Sequence, residues 1–171
     1  MENADEKMAK RFHFGTKGII ALVVLILMTV STLLLRYQQS GLGSGTVTID
    51  QRIEVSVDVA ASDVTRARGL SGRTSLALDQ GLLFLFAQPD KYVFWMKDMN
   101  FPLDVIWIKD GEIVDLTLDI RPAADGENIP TFAPLFEADA VLEVPAGFAQ
   151  QHGLKLGLPV TYRIDRRGAL R

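Results

Sequence analysis

The chain has 171 residues and no cysteine, which excludes disulfides, thiol nucleophiles, cysteine-ligated zinc and iron–sulfur clusters. Charge divides along it: residues 1–36 carry a net +2 and residues 37–171 a net −5, for −3 overall. The acidic remainder has no basic stripe, which argues against a nucleic-acid partner.

Ile19 to Leu35 is a run of 17 residues without a charge, bounded by Lys17 and Arg36. As a helix it would be roughly 25 Å long, near the short limit for a bilayer core, with the two cations able to snorkel. Lys7, Lys10, Arg11 and Lys17 precede the run and only Arg36 directly follows it. The positive-inside rule then keeps the N-terminus cytoplasmic and sends the remainder across. A cleaved secretory signal is the rival reading, but the run is long and Leu33-Leu34-Leu35-Arg36-Tyr37 lacks a small-x-small site. The expected organisation is a cytoplasmic flank over 1–17, a transmembrane anchor over 18–36, a flexible Gly/Ser-rich linker over 37–45 and an extracytoplasmic β-rich domain over 46–171. One domain of ordinary size fits that length. This places the protein in the cell membrane as a single-pass chain, with its main domain periplasmic or extracellular.

Thr46 to Ala60 alternates apolar and polar residues around a turn at 50–52, which predicts two half-buried strands. Ser62 can cap a short helix over 63–68, ended by Gly69. Gly81 to Phe86 is continuously apolar between turn signals and suits a strand buried on both faces. Val93 to Met96 is a short strand candidate. Asp104 to Lys109 and Glu112 to Ile120 flank Asp110-Gly111, a strong two-residue hairpin signal. Arg121 to Pro134 reads as a long loop, Ala138 to Val144 as a strand, Pro145 to His152 as a short helix before Gly153, and Pro159 to Asp165 as the last strand. Arg166, Arg167 and Arg171 form a solvated basic tail. No helix is long enough to alternate with strands in βαβ units. The fold class is therefore mainly β (α+β): a compact antiparallel sheet, partly open and barrel-like or sandwich-like, with one or two short helices, preceded by a single transmembrane helix.

Several strings carry a resemblance: Arg66-Ala67-Arg68-Gly69-Leu70, Arg73, Gly81-Leu82-Leu83-Phe84, Phe94-Trp95-Met96-Lys97, Pro102-Leu103-Asp104 and Val141-Leu142-Glu143-Val144-Pro145-Ala146-Gly147. From about Ile53 to Thr161 the chain resembles the domain of unknown function 192 family. The resemblance implies a compact, mostly β domain, often exported or membrane-tethered, and no assigned activity. Glu137-Ala138-Asp139 stands where family members often have Pro-Ala, so the edge of a shared pocket would differ.

Phe94 to Asp104 is the densest segment, with two Phe, one Trp and two Met beside Lys97, Asp98, Asn100 and Asp104. Aromatic rings with nearby polar groups are how a small-ligand pocket looks. The alternative is a packed loop between core strands. Arg68 and Arg73 flank the Gly69–Gly72 turn and could hold an anion over Trp95, or simply tie that turn in place. The candidate ligand-binding set is Arg68, Arg73, Trp95, Met96, Lys97 and Asp104. The two histidines, His13 and His152, form no metal-spaced cluster, and His152 suits a helix C-terminus. There is no Gly-x-Ser-x-Gly and no phosphate loop, so no metal or cofactor is expected. Asp115 and Asp119 suit a solvated sheet face, which leaves Asp98 with Asp104 as the acid–base pair to test. The first expectation is a non-catalytic binding module for a small ligand, glycan or envelope partner. The alternatives are a hydrolase or lyase using Asp98, Asp104 and Lys97, and an accessory protein of an envelope complex.

Overall fold

The structure is a computed structural model that describes residues 16–39, 43–124 and 126–165, with side chains of the first helix described over 18–31. The expected flank up to residue 15 and the basic tail lie outside the described residues. The chain divides into two units, residues 1–39 and 40–171.

The first unit contains α1 (Thr16–Gln39). Its described side chains from Ile19 to Ser31 are all exposed. Among the described residues no helix is long and apolar enough to cross a membrane. The expected transmembrane helix is thus not shown.

The second unit is built on β1 (Gly43–Ile49), β2 (Ile53–Ala60), α2 (Asp63–Arg68), β3 (Gln80–Asp90), β4 (Phe94–Trp95), β5 (Leu103–Lys109), β6 (Glu112–Ile120), β7 (Thr131–Phe132), β8 (Ala138–Pro145), α3 (Phe148–His152) and β9 (Val160–Asp165). β1 opens inside the stretch expected as a linker, with Gly43 already paired to Val59. Seven strands form one sheet in the order β6-β5-β8-β3-β2-β1-β9, and β4 pairs β7 separately.

One pairing corrects the all-antiparallel expectation: β2 and β3 run parallel, Ser56 opposite Gln80 and Ala60 opposite Phe84. The connection between them carries α2 and two turns, the length a parallel crossover requires. The sheet is mixed and not closed. At one corner the start of β6 approaches the segment leading into β9, through the Glu112–Pro159 bridge and backbone bonds from Val160 N–H to the Gly111 carbonyl (2.7 Å) and from Ile113 N–H to the Leu158 carbonyl (3.0 Å). The Asp110-Gly111 hairpin forms as its dipeptide predicts, both residues at positive φ (52° and 78°).

Both faces of the sheet are buried, as alternation along β5 shows. Ile106 and Ile108 join one core with Val55, Leu142 and Phe148 of α3. Val105 and Trp107 join a second core with Leu82, Phe84, Met96 and Val141. Each such buried side chain contributes about 1.5–3 kcal/mol relative to exposure. Trp107 also donates its indole N–H to Thr117 Oγ1 at 2.9 Å, so its polar edge is satisfied. The second core lies beneath α2, the turns after it and the β4–β7 pair, and the candidate site forms there.

Candidate functional site

α2 starts where Ser62 and Thr65 form a capping box and stops at Gly69. Arg66, in its last turn, fastens it to β3: the guanidinium donates to the carbonyls of Ala61 (2.7 Å) and Leu85 (2.8 Å) and pairs with Asp63. The same group lies 5.3 Å above the Phe86 ring centroid. Beyond α2, Gly72 N–H donates to the Asp98 carbonyl (2.8 Å), Ser71 Oγ to the Lys97 carbonyl (2.8 Å) and Asn100 Nδ2 to the Arg73 carbonyl (2.8 Å). These bonds hold the 69–73 turn against the 97–100 turn. Phe94 supplies the opposite wall, edge-on to Phe84 (4.9 Å between centroids) and to Trp107 (5.3 Å).

These elements line an open cavity of about 570 Å³. Leu70, Phe84, Leu103 and Glu143 are its buried lining; Arg68, Val93 and Trp95 are exposed lining residues at its rim. Its volume is that of a small-molecule site.

Glu143 is the anomaly. Strand alternation along β8 puts Leu142 and Val144 into the first core and Val141 and Glu143 on the other face. The cross-strand neighbours of Glu143 are Leu82 on β3 and Val105 on β5, both apolar. The residue is only 6% exposed, and among the described residues nothing hydrogen-bonds or ion-pairs with its carboxyl. Burial pushes that carboxyl up to about 8, because the charged form loses its hydration without gaining a partner. At neutral pH Glu143 therefore keeps its proton and presents a hydrogen-bond donor to an apolar cavity.

The residues expected from sequence divide. Arg68 and Trp95 line the cavity, Trp95 at 54% exposure. Met96, next to Trp95, is 3% exposed and belongs to the second core instead. Lys97 and Asp98 are exposed and contribute backbone carbonyls to the turn contacts above. Arg73 pairs with Asp58 and lines a separate cavity of about 250 Å³.

Asp104 is 1% exposed, and its two oxygens accept from the backbone N–H of Asp119 and of Ala149, each at 2.9 Å. It joins β6 to the first turn of α3, a positioning role that leaves neither oxygen free for acid–base work. Lys97, Asp98 and Asp104 are not among the residues that line the cavity. The groups that sequence reasoning missed are Arg66 and Glu143. For Glu143 the signal was available: a lone carboxylate inside Ala140-Val141-Leu142-Glu143-Val144, at a position whose alternation points it inward.

Among solved structures, the chain is similar to a putative transcription regulator from Sinorhizobium meliloti 1021, at 25% identity over 71% of this chain and 95% of that one, with a TM-score of 0.65. It is also similar to a protein of unknown function from Novosphingobium aromaticivorans DSM 12444, at 29% identity over 70% of this chain and 84% of that one, with a TM-score of 0.62. No curated protein matches. The model of domain of unknown function 192, described as Uncharacterized ACR, matches residues 45–162, which takes in β2 through β8 and every residue of the cavity. The chain belongs to that family.

Proposed function

We propose that this protein is a non-catalytic module that binds a small, largely apolar molecule in the cavity between α2 and β4. The observation that carries the reading is the cavity itself: about 570 Å³, walled by Leu70, Phe84, Phe94 and Leu103, with the Glu143 carboxyl in the lining unpaired among the described residues. Apolar walls with one fixed polar group are the usual composition of a small-ligand pocket. A glycan fits less well, because its hydroxyls would lose water against Leu70, Phe84 and Leu103 without gaining partners. A regulator's role on nucleic acid, suggested by one relative's name, lacks support in a region of net −5.

Cumene, a small apolar probe, tests the reading on the full chain. It should raise the melting temperature and shift the NMR resonances of Phe84, Phe94 and Trp95. Trp95→Ala should reduce the effect. A melting temperature insensitive to cumene, with those resonances unmoved, would refute the cavity as a binding site.

The same reading places the module outside a membrane, tethered by residues 18–36. Its support is the charge-free run Ile19–Leu35, the excess of Lys and Arg before it, and apolar side chains exposed on every face of the described part of α1. A C-terminal reporter active only in the cytoplasm, on intact protein, would contradict it.

A further inference from the structure

The geometry points to a neutral ligand whose apolar body packs on Phe84 and Phe94 and whose one hydrogen-bond-accepting oxygen, a carbonyl or equivalent, accepts a hydrogen bond from the Glu143 carboxyl O–H. This rests on the binding reading above and names the class of molecule that the site takes. Glu143, a residue 6% exposed that lines the cavity, has no hydrogen-bond partner for its carboxyl among the described residues, and none of their buried side-chain polar atoms is left unsatisfied, so the carboxyl reaches the open space of the cavity, where a ligand can take the place of water. Its neighbours across both ladders, Leu82 and Val105, cannot supply a partner.

The other ionisable residues lining the cavity are Asp63, Arg66, Arg68 and Tyr92. Asp63 and Arg66 neutralise each other, and the Tyr92 hydroxyl is spent on the Gln88 carbonyl at 2.6 Å. Burial is the sole cause of the Glu143 shift, so no charged neighbour draws out its proton.

Two observations favour a neutral acceptor over a cation. Glu143 would first have to ionise against its burial. In addition, the Phe86 ring is flanked already, by the Arg66 guanidinium and by Tyr92 stacked at 3.6 Å between centroids. Arg68 at the rim adds positive charge.

Three probes of nearly the same shape separate the outcomes: acetophenone carries the acceptor, cumene carries none, and phenyltrimethylammonium is a permanent cation. Dissociation constants are read by NMR titration of the full chain at about pH 6.5 and about pH 9.5, either side of the Glu143 transition. At the lower pH acetophenone should bind roughly fivefold more tightly than cumene, the factor expected of one neutral hydrogen bond. By the higher pH that preference should vanish. Glu143→Gln, which donates from an uncharged amide, should keep the preference at both. Equal affinities for acetophenone and cumene at both pH values would overturn the role of Glu143 while leaving the cavity a binding site. Tightest binding of phenyltrimethylammonium, strengthening as pH rises, would overturn it in favour of a cation site. If none of the three moves the resonances of Phe84, Phe94 or Trp95, this inference and the binding reading fall together.

Discussion

Replacing Glu143 by Gln should stabilise the protein, and by an amount that depends on pH. The folded carboxyl titrates at about 8 against an ordinary 4.5, so between those values the native state holds a proton that the unfolded chain has released. Stability then falls as pH rises across that window. The sign follows from the raised value: the contribution is complete below about 4.5, declines up to about 8, and is gone above it. At about 1.4 kcal/mol per pKa unit, the full difference is about 5 kcal/mol, and about 3 kcal/mol has been lost by pH 7. Gln occupies nearly the same volume and has no charge to bury, so its stability lacks this slope. For a domain of this size about 3 kcal/mol corresponds to roughly 12 °C in melting temperature. Thermal denaturation of both proteins at intervals between about pH 4.5 and 9 measures the difference directly. Parallel curves, or a Gln variant less stable throughout, would refute the claim that desolvation raises the Glu143 carboxyl.

Three further outcomes follow from the packing. Asp104→Asn replaces an acceptor of two backbone N–H bonds by a group that accepts with one atom only; it should cost about 1–3 kcal/mol in urea denaturation and leave acetophenone affinity unchanged. Trp95→Ala and Met96→Ala should behave oppositely despite adjacency: the first weakens ligand binding with a stability change within about 0.5 kcal/mol, and the second destabilises by about 2–5 kcal/mol. Gly81→Ala places a Cβ 2.8 Å from the Glu143 carbonyl oxygen and 3.0 Å from Leu142 Cδ1, so β3 and β8 must part; a loss of about 1–3 kcal/mol is expected.

What the sequence revealed depended on how local the cause was. The 110–111 hairpin is dictated by two residues that tolerate positive φ, and it forms where the dipeptide stands. The Gly81–Phe86 run suits burial on both faces, and β3 lies between β2 and β8 in the sheet. By contrast, the parallel pairing of β2 with β3 depends on how the chain crosses over after α2, and no residue at either strand encodes that direction. The candidate site shows the same divide. Arg68 and Trp95 reach the cavity, but Arg73 is taken by Asp58, fifteen positions earlier, and Asp104 by backbone amides of β6 and α3. Composition made Phe94–Asp104 conspicuous, whereas Glu143, whose carboxyl has no partner among the described residues, sits on a strand that composition marks as core.

The protonation state of Glu143, followed by carbon-detected NMR on protein labelled at the glutamate side chain, tests the central claim most directly. A titration near pH 8 that moves upward on adding acetophenone is the expected result, since a ligand that accepts a hydrogen bond from the carboxyl O–H stabilises the protonated form. A Glu143 carboxyl that ionises with the ordinary carboxylates, and is indifferent to acetophenone, would contradict it.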